Sequence, residues 1–311
     1  MEADMRRVVA SVVLIFILVG LISTWLIKGY NQSGGEVWKE NVIEGNAEGK
    51  IVQMFLEGEL SSNVGGEHPI ISMLDQAKKD PEVKGIVIYV NSPGGDVVTS
   101  DVIYNKILEV KATGRRVLVS MGSIAASGGY YISAAADEIY ANPATITGSL
   151  GVIVNIYNYQ GIADKLGLKE ENIKSGEYKD FANSMRELKD GERVIYQSII
   201  DESYNRFIEV IAEGRQMDLQ SVKQLADGRI YSGRQAKELG LIDKFGSIHN
   251  ATGDLVKTLE LREPKIVRYT KKEPLLSLGY SGGTSLSVET ILESFFSMIN
   301  EPDPRVLYRL H

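Results

Sequence analysis

The chain has 311 residues, 34 basic against 41 acidic, and no cysteine. The net charge of −7 speaks against a nucleic-acid partner, because such binding needs a basic face to release counterions. Without cysteine there is no disulfide framework, thiolate metal site or thiol nucleophile, and three histidines (His68, His249, His311) are too few for a multi-histidine metal centre. The chemistry is therefore expected to use hydroxyls, lysines, carboxylates and backbone amides, with no metal and no cofactor.

The first element is Val8–Ile27, 20 residues without a charge. As a helix it would span about 30 Å, the thickness of a bilayer's hydrocarbon core. A cleaved signal peptide is the alternative, but its apolar region is usually about 7–15 residues and ends in small residues. This run is longer and ends in Trp25-Leu26-Ile27-Lys28, so a retained anchor over residues 1–28 is expected. Arg6 and Arg7 precede the span and Lys28 follows it, which places the N-terminus in the cytoplasm and the rest of the chain outside. Residues 29–49, rich in Gly, Asn, Ser and Glu, read as a linker, with a short amphipathic piece near Val37–Val42.

From Ile51 short apolar runs alternate with helical patterns. Ile51–Leu56 reads as a strand. Pro69 suits the first turn of a helix that stops before Pro81. Lys84–Val90 is continuously apolar after its first two residues, as in a strand covered on both faces. Val97–Lys111 has helical spacing closed by Thr113-Gly114. Val117–Met121 reads as a strand, Ile124–Ala136 as a helix of small residues, and Ile139–Ala141 and Gly151–Asn155 as further strands. Ser184 with Glu187 has capping-box spacing before a long helical stretch. The alternation predicts an α/β domain over 50–265 with mainly parallel pairing. Residues 266–311 form a tail that could dock on the same body or on a neighbour.

Two segments look unlike scaffolding. Asn91-Ser-Pro-Gly-Gly-Asp96 joins a buried strand to a helix, and its glycines leave backbone N–H groups uncovered, as an oxyanion site requires. A plain tight turn would use the same residues. Gly122–Tyr131 presents Ser127 early in the expected helix, where a developing negative charge is favoured. Close helix packing also selects Ala, Ser and Gly there. A serine nucleophile needs a base, and none of the histidines is well placed by local sequence. A lysine serves if its neutral amine is available. Lys179, before the long helix, is a candidate beside the ordinary reading of a solvated surface lysine.

Taken together, Ile86-Val-Ile-Tyr-Val-Asn-Ser-Pro-Gly-Gly95, Ala125-Ala-Ser-Gly-Gly-Tyr-Tyr131, Thr147-Gly-Ser-Leu-Gly-Val152, Lys174-Ser-Gly-Glu-Tyr-Lys179 and the Gly228–Asp243 run resemble the signal peptide peptidase A family, in its short, single-copy form. The resemblance implies a Clp protease/crotonase-like fold with repeated β-β-α units behind one transmembrane helix. It implies Ser127 as nucleophile, Lys179 as general base, Gly94 and Gly128 as oxyanion donors and Ser149 as the residue orienting the lysine. It also implies a membrane-anchored serine endopeptidase that cleaves remnant signal peptides and other apolar peptides through an acyl-enzyme. The resemblance implies, as partner, further copies of the chain in a homo-oligomeric ring, with the dyad formed within one chain or shared between subunits. A crotonase-type acyl-CoA enzyme and a non-catalytic tethered scaffold are the rival readings.

Overall fold

The computed structural model describes residues 38–61, 68–271 and 307–309. The Val8–Ile27 span lies outside them, and among the described residues no helix is long and apolar enough to cross a membrane.

Eleven strands and eight helices follow in chain order among the described residues. They are β1 (Trp38–Glu44), β2 (Ala47–Glu57), α1 (Pro69–Lys79), β3 (Val83–Ser92), β4 (Gly94–Asp96), α2 (Val97–Lys111), β5 (Arg116–Ala126) and α3 (Gly128–Ser133). Then come β6 (Glu138–Ala141), β7 (Ile146–Gly148), α4 (Gln160–Leu166), α5 (Asp190–Arg215), α6 (Leu219–Leu225) and β8 (Ile230–Ser232). The series closes with α7 (Gly233–Glu238), β9 (Lys244–Phe245), α8 (Ile248–Thr258), β10 (Pro264–Lys271) and β11 (Leu307–Arg309). Nine strands form one sheet in the order β1-β10-β2-β3-β5-β6-β9, with β7 and β8 extending from the end of β5. All pairings in it are parallel except β1 with β10 and β7 with β8. This is a mixed, mainly parallel α/β sheet.

The continuous apolar run in β3 is explained by helices on both faces. Ile86, Ile88 and Val90 enter the larger core with Leu74, Ile103 and Phe207, while Val87 turns to a smaller core under α8 with Ala251 and Leu255. Period-two alternation is hidden because neither face meets water.

Five local expectations change. The linker does not extend to residue 49: Trp38–Glu44 is a strand antiparallel to β10. Its indole Nε1 donates to Ser72 Oγ at 2.9 Å and its amide to the Gln76 side chain, so tertiary pairing overrides a loop-like composition. The tail likewise starts late, because Pro264–Lys271 lies inside the sheet between β1 and β2. The helix expected from Ile124 begins at Gly128, since Ile124, Ala125 and Ala126 pair with Ile146, Thr147 and Gly148 as strand. Gly151–Asn155, expected as a strand, holds no named strand, and the strand of this region is Ile146–Gly148. Finally, the long helix starts at Asp190, with the Lys189 amide donating to Glu192 Oε2 at 3.0 Å, because Ser184 sits in turns and gives its carbonyl to the Tyr159 amide.

Candidate active site

Ser127 lies between the last residue of β5 and the first of α3. Its φ of 54° and ψ of −117° place a residue with a Cβ in a region that only glycine visits freely, a strained strand-to-helix elbow. The elbow is held at both ends. Its N–H donates to the Gly148 carbonyl at 2.8 Å, and its carbonyl accepts from the Tyr131 N–H at 2.8 Å. The residue is buried, and its Oγ has no hydrogen-bond partner among the described residues. A buried hydroxyl without a partner costs free energy, so its retention beside a strained backbone is unlike ordinary scaffolding.

The glycines around it answer to close approach. A Cβ on Gly128 would lie 2.6 Å from Ser100 Oγ and 3.2 Å from the Gly94 Cα and the Gly95 nitrogen. One on Gly129 would strike the Ser92 carbonyl at 2.7 Å. The two Gly-Gly segments thus face each other at backbone distance, as the close-packing reading requires. Gly94 takes φ of 102°, and its N–H donates to Ser92 Oγ at 3.1 Å. Gly95, part of the same Gly-Gly pair although the resemblance implied Gly94 as the donor, has its nitrogen on the Gly128 side. Leu60 brackets this segment, donating its N–H to the Gly94 carbonyl and accepting from the Asp96 N–H. On the other flank β11 runs antiparallel to β4, with Tyr308 opposite Gly95.

Ser149 is one residue beyond the carbonyl that anchors Ser127. It is buried with φ of 51°, and its N–H donates to the Arg229 carbonyl at 2.8 Å. The structure therefore gathers Ser127, Gly94, Gly128 and Ser149 in one place. It does not bring Lys179 to them. Lys179 is exposed, in a turn whose N–H reaches the Gly176 carbonyl, and its ammonium makes no ion pair among the described residues. It belongs to a stretch between Gly151 and Gly191 in which Ala163 alone is buried. That stretch exposes Tyr157, Ile162, Leu166, Leu168 and Ile173, the last 99% exposed.

The histidines stay away from this site. His68 caps α1, its Nδ1 accepting the Ile70 N–H, and burial pushes its imidazole below the ordinary value. His249 lies on α8, and His311 is outside the described residues.

Comparison with known proteins agrees with this frame. The family model described as Clp protease matches residues 49–146, and the one described as Peptidase family S49 matches residues 109–262. The chain is a serine endopeptidase on a Clp-protease-like α/β sheet. It is 36% identical over 284 residues to a protein described as signal peptide peptidase SppA in Enterococcus faecium, covering 84% of this chain and 82% of that one. A protease of Methanocaldococcus jannaschii is 34% identical over 281 residues, covering 86% and 88%. The chloroplastic serine protease SPPA of Arabidopsis thaliana is 32% identical over 183 residues, 58% of this chain and 27% of the plant protein. The chain belongs to peptidase family S49, with the signal peptide peptidase A proteins.

Proposed function

We propose that the protein is a membrane-anchored Ser/Lys endopeptidase that cleaves apolar peptides, remnant signal peptides among them, at sites assembled from two subunits of a homo-oligomer. The observation that carries this reading is the separation of its parts. A strained, buried Ser127 hydroxyl without a partner among the described residues sits beside the facing glycine segments, while the candidate base sits on an exposed arm with almost no core. Tyr157, Ile162, Leu166, Leu168 and Ile173 lie uncovered on that arm, and a second copy would both cover them and supply the amine.

In the reaction, Ser127 Oγ attacks the scissile carbonyl as its proton passes to the neutral Lys179 amine of the adjacent subunit. Backbone N–H groups of Gly128 and Gly95 hold the oxyanion, in place of the Gly94 N–H expected from the sequence, which is already given to Ser92 Oγ. The carbonyl re-forms as the C–N bond breaks, and the lysine ammonium gives its proton to the departing amine. Lys179 then takes a proton from water, which attacks the ester, and returns it to Ser127 as the acid leaves. Ser149 orients the lysine. Peptides would lie as added strands, a mode supported by the β11–β4 pairing on the glycine segment. The Val8–Ile27 anchor keeps the body at the bilayer surface, where apolar peptides collect.

Full-length protein in detergent tests this with an apolar fluorogenic peptide. Ser127→Ala and Lys179→Ala are each expected to lose at least about a thousandfold in kcat/KM with the melting temperature kept. Mixed oligomers of the two variants are expected to regain activity. Activity persisting in Ser127→Ala would end the assignment, and wild-type oligomers that neither cleave nor react with a serine-directed phosphonate would favour the scaffold.

A further inference from the structure

The arm that carries Lys179 needs some means of fixing that lysine, and its own packing does not supply one. One cluster does reach it. Asp180, the next residue, is mostly buried, and its carboxylate accepts from Lys174 Nζ at 2.5 Å and from Arg186 Nε at 3.3 Å. Arg186 Nη2 also donates to the Asp180 backbone carbonyl at 2.7 Å. The same guanidinium turns its Nη1 to Glu192 Oε2 at 2.9 Å and its Nη2 to Oε1. Glu192, in the first turn of α5, is fully buried and also holds the Lys189 N–H. One arginine therefore bonds both the residue after Lys179 and the start of the helix whose Phe207 packs on Tyr131 of α3.

We propose that Arg186 is a positioning residue for Lys179, fixing the Lys179–Asp180 backbone to the buried start of α5 so that the amine is presented outward at a set height. The proposal rests on Lys179 being the general base. The chemistry favours a geometric role over a merely stabilising one. An exposed ion pair by itself fixes little, but a fork-shaped guanidinium that bonds two carboxylates and two backbone carbonyls restricts direction as well as distance. The left-handed Ala182, with φ of 53°, and Phe181, whose ring centroid lies 4.6 Å from that of Tyr196, set the chain's exit from the same turn. Around 1 Å of misplacement in a reacting group is enough to lose roughly a hundredfold in rate.

The test places Arg186→Ala on one kind of protomer at a time, in full-length mixed oligomers. The control is Ser127→Ala mixed with Lys179→Ala. Put on the Ser127→Ala chain, which supplies the lysine, Arg186→Ala is expected to lower the regained kcat at least tenfold with KM within about twofold. Put on the Lys179→Ala chain, which supplies the serine, it is expected to change little. Equal losses in both placements would show a general structural role and overturn the proposal, as would no loss in either. Arg186→Lys, which keeps the charge but not the fork, is expected to recover only part of the rate; full recovery would also overturn it. Should the control mixture itself be inactive, the shared-dyad reading fails, and Arg186→Ala in the uniform enzyme decides. A fall in kcat at constant KM then keeps the positioning role, and unchanged kcat removes it.

Discussion

The Ser127 elbow and the Lys179 arm hold their side chains in opposite ways. Residues 117–136 are buried almost without a break and are held by strands on either side. Behind the elbow, Tyr131 packs on Tyr104 and Phe207, with ring centroids 5.4 and 5.1 Å apart. The arm has Ala163 and then nothing buried until Glu192, and polar bonds do the work that packing does elsewhere. Strain such as that at Ser127 persists only where surroundings over-determine the backbone, and the dense region supplies them. Under the proposed shared site, a group that meets another subunit belongs on the exposed one.

The largest effect is expected in the dense region. Phe207→Ala should cost about 3–5 kcal/mol, read as a lower denaturant midpoint, because it opens a cavity behind α3. A comparable loss on the arm from a single truncation would break the contrast.

A middle effect is expected where charge ties the dense region together. The Asp243 carboxylate accepts from Arg215 Nη2 at 2.7 Å and Nη1 at 2.9 Å, and from the Ile139 N–H at 2.7 Å. Burial acts to raise this carboxyl, but the guanidinium and the amide outweigh it and hold it below the usual carboxylate range. A depressed folded value contributes stability that is fully present above about pH 4 and is lost as pH falls through the folded value. Asp243→Asn should therefore lower stability by about 2–3 kcal/mol at pH 7 and flatten its acid dependence, followed by thermal melts from pH 7 to pH 2.

The smallest stability effect is expected on the arm. Ile173→Ser should shift monomer stability by less than about 0.5 kcal/mol, since the side chain is already in solvent. Its expected effect is on association, seen as a lower mass in sedimentation. Unchanged mass together with unchanged activity would remove Ile173 from the proposed interface.

Local pattern carried the elements whose environment is local. Pro69–Lys79 and Val97–Lys111 begin and end where proline, glycine and apolar spacing place them. Errors arose where a distant partner decides. Trp38–Glu44 needs β10, more than 200 residues on, to be a strand, and Ile124–Ala126 needs β7. At the site, Ser127 and the glycines were legible because their residue types are unusual together. The positive φ of Ser127 was not, since serine carries no local mark for it. Arg186 and Glu192 were passed over because charged residues before a helix look like solvated surface until their partners are known.

The segment Gly94–Asp96 has Leu60 on one flank and Leu307–Arg309 on the other. A strand has two hydrogen-bonding edges, and here both are in use. A peptide that pairs on the β11 side does so by exchange, replacing bonds of the same kind that the chain makes with itself. The difference between two similar sets of backbone bonds is small, so discrimination among peptides on this edge falls to their side chains.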